Sequence, residues 1–474
     1  MSEKQGQLVR SIGFGAASAL VVSSVIGSGV FKKVAPMSAE LQSPTLVLLC
    51  WLLAGLVSLA GTLSNAEIAS MLADSGGEFA YFRKIYNKFF AYLFGWSQFA
   101  VVRTASIASL GFVFAQSFNS LFPVSNPLEA WSSMNILGLY PFDNSGVKLL
   151  AISLVMFLTY FNYRGLKLGA GLSNILTIAM LVIIALVVIL GLTMGNGSMS
   201  NITSNATTYD PEQMSGMTLL KAMFVASLSA FWGYEGWAAL GYIGGEIKNP
   251  QRNLPLALTA GSLIVMGVYL LLNFTYLYVM PIDQYIAIHE SKNGIAAVSM
   301  VKYFLGEGGG WVISGLILIT TFNCTSSTIL TAARISYSMA QQGIFFKSAG
   351  YVHPTYNTPS RALWIQGFWS SVMILSGTFD QLTDMLIFAS FIFYGATTWG
   401  VFVLRRHMPN AERPYKVIGY PVVPLIFLLF CGALLVNTLF SRPYEALTGL
   451  ALIATGLPFY WYWTKRKASE EEVE

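Results

Sequence analysis

The chain predicts an all-α integral membrane protein built from twelve transmembrane helices. Of its 474 residues 55% are apolar or aromatic and only 10% are charged, and the mean hydropathy is +0.60. Windows of about 20 apolar residues, the length that crosses a hydrocarbon core roughly 30 Å thick, recur along its whole length. A soluble domain carries roughly a quarter of its residues as Asp, Glu, Lys or Arg, so this chain cannot clothe a water-facing surface.

Taken in order, the stretches are 13–35, 44–70, 89–122, 147–163, 168–194, 217–244, 255–281, 308–342, 361–378, 383–404, 419–440 and 444–464. The first is interrupted at its centre by Gly27-Ser28-Gly29, and no small-residue cleavage site follows a short apolar core, so it is expected to stay attached. The third holds Arg103 at membrane depth. The sixth is interrupted at Phe231-Trp232-Gly233-Tyr234-Glu235-Gly236-Trp237 and ends toward Asn249-Pro250, a turn and stop signal. The eighth exceeds one bilayer thickness, so it tilts or projects beyond the membrane. Glu67 and Arg334 follow the second and eighth stretches and read as solvated helix ends or gate ion pairs. Glu246 and Lys248 fall where the sixth stretch leaves the membrane.

Charge sets the orientation. With a cytoplasmic N-terminus, about 19 of the 27 Lys and Arg lie on one side, among them Arg83, Lys84, Lys88, Arg164, Lys167, Arg405, Arg406, Arg413, Lys416 and the tail Lys465-Arg466-Lys467. Roughly seven, including Lys32, Lys33, Lys292 and Arg442, fall on the other. Both termini are expected in the cytoplasm, the protein in a plasma (inner) membrane, and the net charge of +5 reflects topology, with no nucleic-acid partner.

Cys50, Cys324 and Cys431 all fall inside apolar stretches, as small fillers, and no disulfide is expected. Sequons at Asn196, Asn201 and Asn205 crowd one loop. His289, His353 and His407 sit singly in loops, and no HExxH, GxSxG, Walker loop or Cys-x-x-Cys is present. Neither an enzyme nor a metal or cofactor site is expected. The Glu-rich end after Ser469 reads as a solvated tail.

The two interruptions have a specific physical meaning. Backbone freed by an unwound membrane helix needs partners and is tolerated only inside protein or along a polar cavity. Paired broken helices in corresponding halves point to a transporter's binding site. Amides at the start of a half-helix suit a carboxylate and carbonyls at the end of the preceding one suit an ammonium, so a zwitterionic amino acid matches both. Gly27 and Gly29 would let a ligand approach the backbone and Ser28 adds a hydroxyl; the competing reading is a small-residue packing seam between helices. Trp232, Tyr234 and Trp237 supply walls for a pocket.

The runs SVIGSGVF, SNAEIASMLADSGGEFAYF from Ser64 to Phe82, FAVVRTAS from Phe99 to Ser106, GYEGWAALGYIGGEIKNPQRNLP from Gly233 to Pro255, TAARISYSMAQQG from Thr331 to Gly343, HPTYNTPSRAL from His353 to Leu363 and RRHMPNAERPYKV from Arg405 to Val417 together resemble the amino acid–polyamine–organocation superfamily. Within it they are most similar to the L-amino acid transporter family. The resemblance implies a leucine-transporter-like fold: a 5+5 inverted repeat over 13–194 and 217–404, two further helices over 419–464 and a cytoplasmic tail at 465–474. It implies that backbone at Ile26, Gly27, Ser28, Gly29, Phe231, Trp232 and Gly233 holds the substrate's carboxylate and ammonium, with Trp232 as aromatic gate and the loop after Glu246 as part of a cytoplasmic gate. Many relatives place a coupling Lys in the fifth span, where this chain has Met180. Relatives from animals pair with a heavy subunit through a Cys between spans three and four; the loop 122–147 has none, so no disulfide-linked partner is expected.

Coupling stays open at this level. Sodium would prefer oxygen ligands, and Thr320, Thr321, Asn323, Thr325, Ser326 and Ser327 of the eighth stretch offer them or else serve helix packing. Glu235, an acid at membrane depth, has three readings: a structural partner of Arg103, a proton carrier, or a selector of cationic substrates. The function these features predict is secondary transport of neutral L-amino acids by sodium-independent exchange. Proton- or sodium-coupled import is the alternative on the same scaffold; a membrane sensor that binds without carrying would add a signalling domain.

Overall fold

Apolar residues at helical spacing condense into helices throughout the chain. The computed structural model describes residues 12–72, 77–136, 139–165, 170–194, 197–237, 240, 247–291 and 293–471, and among these it forms no sheet, only isolated bridges. Asn196, Lys167, Glu246 and Lys292 lie outside the described residues, as do the side chains of Ser28, Arg466 and Lys467.

The helices in order are α1 (Phe14–Val25), α2 (Val34–Leu41), α3 (Pro44–Met71), α4 (Gly77–Ile85), α5 (Lys88–Ser97), α6 (Arg103–Leu121), α7 (Ser145–Tyr163), α8 (Ala170–Met194), α9 (Met199–Thr203), α10 (Gly216–Tyr234), α11 (Pro250–Val279), α12 (Ile282–Glu290), α13 (Ala296–Gln341), α14 (Ser360–Ser376), α15 (Phe379–His407), α16 (Val422–Ser441), α17 (Pro443–Ala454) and α18 (Gly456–Glu471). Local chemistry marks many starts. Proline occupies the first turn of α3, α11 and α17, where a missing N–H costs nothing. Thr378 and Gln381 form a capping box at α15, and the Asn87 side chain accepts the Phe90 N–H at α5. A π-helical turn, Gln98–Val102, joins α5 to α6.

Among the described residues eight helical segments are long and apolar enough to cross a membrane: α3, the continuous 88–121 helix, α7, α10, α11, α13, α15 and α16. Their outward faces are what hydrocarbon requires. On α3, Leu49, Leu52, Leu53 and Leu56 are exposed in one stripe, and Val422, Leu425, Ile426 and Leu429 form another on α16. The molecule is an integral, multi-pass membrane protein. Its interior, by contrast, holds Trp51, Tyr269 and Tyr276 fully buried.

Several boundaries differ from those the sequence predicts. The stretch 308–342 belongs to a helix that begins at Ala296 and bends at Gly306, where φ is 69°, because hydropathy averages straight across a local backbone bend. The last stretch divides at Thr455 into α17 and α18. The first stretch continues beyond its break into α2, as far as Leu41.

Candidate functional site

The first break is where Gly27-Ser28-Gly29 predicts it. Helix α1 ends at Val25, Ile26 and Gly27 are extended, and Ser28–Phe31 forms a single 3₁₀ turn before α2. The second break falls in the later part of the run from Phe231 to Trp237 that the sequence marks. Phe231, Trp232, Gly233 and Tyr234 complete the last turn of α10, and the chain leaves the helix at Glu235 and Gly236. Gly236 has φ 116°, and a Cβ there would collide with the Ser24 carbonyl beside the first break, so only glycine fits.

The two breaks touch. A Cβ built on Gly29 would lie 2.8 Å from Cδ1 and 2.9 Å from Nε1 of Trp232. The Trp232 indole N–H is buried and has no hydrogen-bond partner among the described residues, so a donor stands ready beside the unwound segment. Tyr269 of α11 fastens both chains: its hydroxyl is 3.0 Å from the Val25 carbonyl and 2.8 Å from the Gly233 carbonyl, and its single proton serves one of them at a time. Trp51 packs against Tyr269 and Tyr234 at 5.5 and 5.8 Å, and the Tyr234 hydroxyl donates to the Trp51 carbonyl. Further along, the Lys248 N–H donates to the Ile12 carbonyl at 2.8 Å, where the chain before α1 meets the chain after the second break.

Tyr269→Phe is therefore expected to destabilise the breaks by about 1–3 kcal/mol, the cost of leaving buried carbonyls without their donor. Thermal unfolding of the purified protein reads this out, and a variant matching wild type would show that the two contacts carry no weight.

Glu235 sits beside the second break in a narrow cavity lined by Glu78, Gln98, Arg103, Ser390 and Tyr394. The Tyr394 hydroxyl lies 2.8 Å from both carboxylate oxygens of Glu235, and Trp237 packs on the Tyr394 ring at 4.8 Å. Thr397 holds Glu78 at 3.1 Å. Arg103 thus faces two acids, the buried Glu78 and the half-buried Glu235, of which the sequence reading names the second. Glu78 was within reach of sequence, lying in the run from Ser64 to Phe82; nothing in their apolar surroundings singles out Tyr269 or Tyr394.

Other candidates are placed differently. Thr325 donates to the Thr321 carbonyl at 2.6 Å, and Ser326 receives the Asn162 amide at 3.2 Å, so both serve contacts of α13 with itself and with α7. Met180 is buried in the apolar core of α8, which packs on α11 and α13. Among the described residues no cluster of His, Cys, Asp and Glu is arranged to hold a metal.

Burial changes the reading of three charges. Lys32 and Lys33, counted by sequence on the non-cytoplasmic side, are both buried: Lys33 Nζ lies 2.7 Å from Asp380 Oδ1 and 2.7 Å from Thr383 Oγ1. Glu67, read as a solvated helix end or a partner in a gate ion pair, is 1% exposed, which removes the first reading and leaves an ion pair. It takes two hydrogen bonds from Arg405, at 2.9 and 2.6 Å, and one from the Val417 N–H at 2.7 Å, with Arg413 Nε at 3.6 Å. Partners distant in sequence make this burial possible.

Comparison with known proteins matches this arrangement to a group. A profile described as amino acid permease matches residues 12–461. The serine/threonine exchanger SteT of Bacillus subtilis (strain 168) is 32% identical over 99% of this chain and all of its own length. The b(0,+)-type amino acid transporter 1 of Homo sapiens is 29% identical, covering 98% of this chain and 90% of itself. The large neutral amino acids transporter small subunit 2 of Mus musculus is 27% identical over 96% of this chain and 82% of itself.

Proposed function

The chain belongs to the amino acid permease family of the amino acid–polyamine–organocation superfamily, and from that premise we propose that it exchanges neutral L-amino acids across the membrane, independently of sodium, by alternating access. Transport of amino acids is what its family does; exchange, neutrality and sodium independence are the proposed refinements. The observation that carries the amino acid reading is the junction of the two breaks. Extended backbone at Ile26 and Gly27, the carbonyl end of α10 and the buried Trp232 N–H converge where Gly29 meets Trp232, an arrangement suited to a carboxylate and an ammonium on one small molecule. The backbone from Ile26 to Gly29 and the segment from Phe231 to Glu235 supply the proposed substrate contacts.

In this reading twelve helices cross the bilayer, the first ten as a 5+5 inverted repeat with two more following, both termini are cytoplasmic, the membrane is the plasma (inner) membrane, and no disulfide-linked subunit is needed. The name of the Bacillus relative, an exchanger, favours exchange. A second reading, proton-coupled import, is favoured by the pair of carboxylates, Glu78 and Glu235, that share a cavity with one arginine.

The test is uptake of radiolabelled alanine, serine and leucine into proteoliposomes preloaded with unlabelled amino acid or with buffer, with and without sodium and proton gradients. Uptake only into loaded vesicles, indifferent to either gradient, is expected. Uptake into empty vesicles driven by a gradient would overturn exchange, and a proton gradient as driver would move the coupling to Glu235 and Glu78.

A further inference from the structure

Lys32 differs from every neighbouring charge. Lys33 beside it is paired with Asp380; Lys32 is 6% exposed, yet among the described residues no carboxylate lies within 4.0 Å of its ammonium. One N–H donates to Gln116 Oε1 at 2.6 Å, and the Phe379 ring lies 4.1 Å away. An ammonium has three donors, so two are left over. A buried cation in that condition is costly unless something balances it.

The leftover donors border a cavity of about 250 Å³ whose walls include Gln116, Asn144, Lys148, His289 and Thr378. At roughly 30 Å³ per molecule it has space for about eight waters, or for one small anion and part of its hydration shell. The first turn of α15 opens on it through Thr378, Phe379 and Asp380, with the positive end of the helix dipole facing in.

The cavity walls carry Lys32 and Lys148 together with Asp143 and Asp380, and Asp380 is held by Lys33. His289, on the short connecting helix α12, is held below the usual histidine range by burial and by the nearby Lys33, Lys32 and Arg442 charges, against the pull of Asp380.

We propose that this cavity, which meets the junction of the two breaks across the Phe379 ring, is an anion site in which Lys32 holds a single monovalent anion, either a carboxylate or a halide. The assignment stands on the leftover donors of the lysine and their cavity and does not depend on the exchanger reading. A carboxylate would come from free amino acid or from a small organic acid, a halide from the surrounding salt; each meets the same ammonium.

The test uses purified full-length protein in detergent at constant ionic strength with a bulky counter-anion. Chloride binding is followed by chloride-35 line width and acetate binding by calorimetry. Wild type is expected to bind at least one of the two saturably. Lys32→Gln should weaken that binding tenfold or more while Lys32→Arg retains it. Gln116→Glu, which places a carboxylate where the amide oxygen now meets Lys32, should expel the anion without removing the charge. It also tests the site should Lys32→Gln fail to fold. Competition then separates the sources: displacement by alanine or serine assigns the site to the amino acid carboxylate, displacement by acetate alone to free organic acids, and resistance to both to halide. Absence of saturable binding in wild type, or equal binding by the Gln116→Glu protein, overturns the proposal. Proteoliposome uptake measured on the same preparations distinguishes failure of the anion site from failure of amino acid exchange.

Discussion

Replacing Glu67 with Ala is expected to cost the protein about 3–5 kcal/mol, because removing one partner of a buried ion cluster leaves the other charges uncompensated. Glu67 accepts both arms of Arg405 and the Val417 N–H, and stands 3.6 Å from Arg413, whose side chain is 8% exposed. Arg405 also lies over the Tyr420 ring at 3.6 Å. Loss of the carboxylate thus frees α15 from α3 and unties the chain leading to α16 together. Glu67→Gln keeps an acceptor for Val417 and should cost less than Ala. Thermal unfolding of the purified variants orders them, wild type above Gln above Ala; equal melting temperatures would mean the cluster contributes nothing net.

Gly29→Val is the second large effect, and it is expected on transport. The added Cβ falls 2.8 Å from Trp232 Cδ1, closer than unbonded carbons approach, and the indole is a rigid, buried neighbour. Either Trp232 is displaced from its position over the break or the 3₁₀ turn is distorted, and both alter the surface offered to a substrate. Uptake should fall by at least about tenfold, equivalent to ~1.4 kcal/mol, in protein that still elutes as a single species. Gly29→Ala, meeting the same contact with fewer atoms, should fall between. Undiminished uptake by Gly29→Val would remove the junction of the breaks from the substrate path.

The sequence shows the first break plainly because its cause is local: glycine and serine in an apolar run remove the side chains that hold a helix against its neighbours. The second break is legible as a run of seven residues but not to the residue. Phe231 to Tyr234 can end a helix as readily as leave one, and the exit comes beside Gly236, whose φ of 116° and closeness to the Ser24 carbonyl of α1 suit glycine alone. Burial of charge is the least legible feature. Glu67 meets Arg405 across 338 residues and Lys33 meets Asp380 across 347, distances over which no periodicity reaches. Tyr269 is equally silent in sequence, since its role comes from carbonyls 244 and 36 residues away.

Helix α15 carries a partner near each end and two near its middle: Asp380 and Thr383 for Lys33, Tyr394 for Glu235, Thr397 for Glu78, and Arg405 for Glu67. At 1.5 Å per residue the outermost two, 25 positions apart, are separated by about 38 Å. A rigid tilt of this helix about Tyr394 would swing its tips in opposite senses and strain the pair with Lys33 and the pair with Glu67 together, with the acid beside the second break at the pivot.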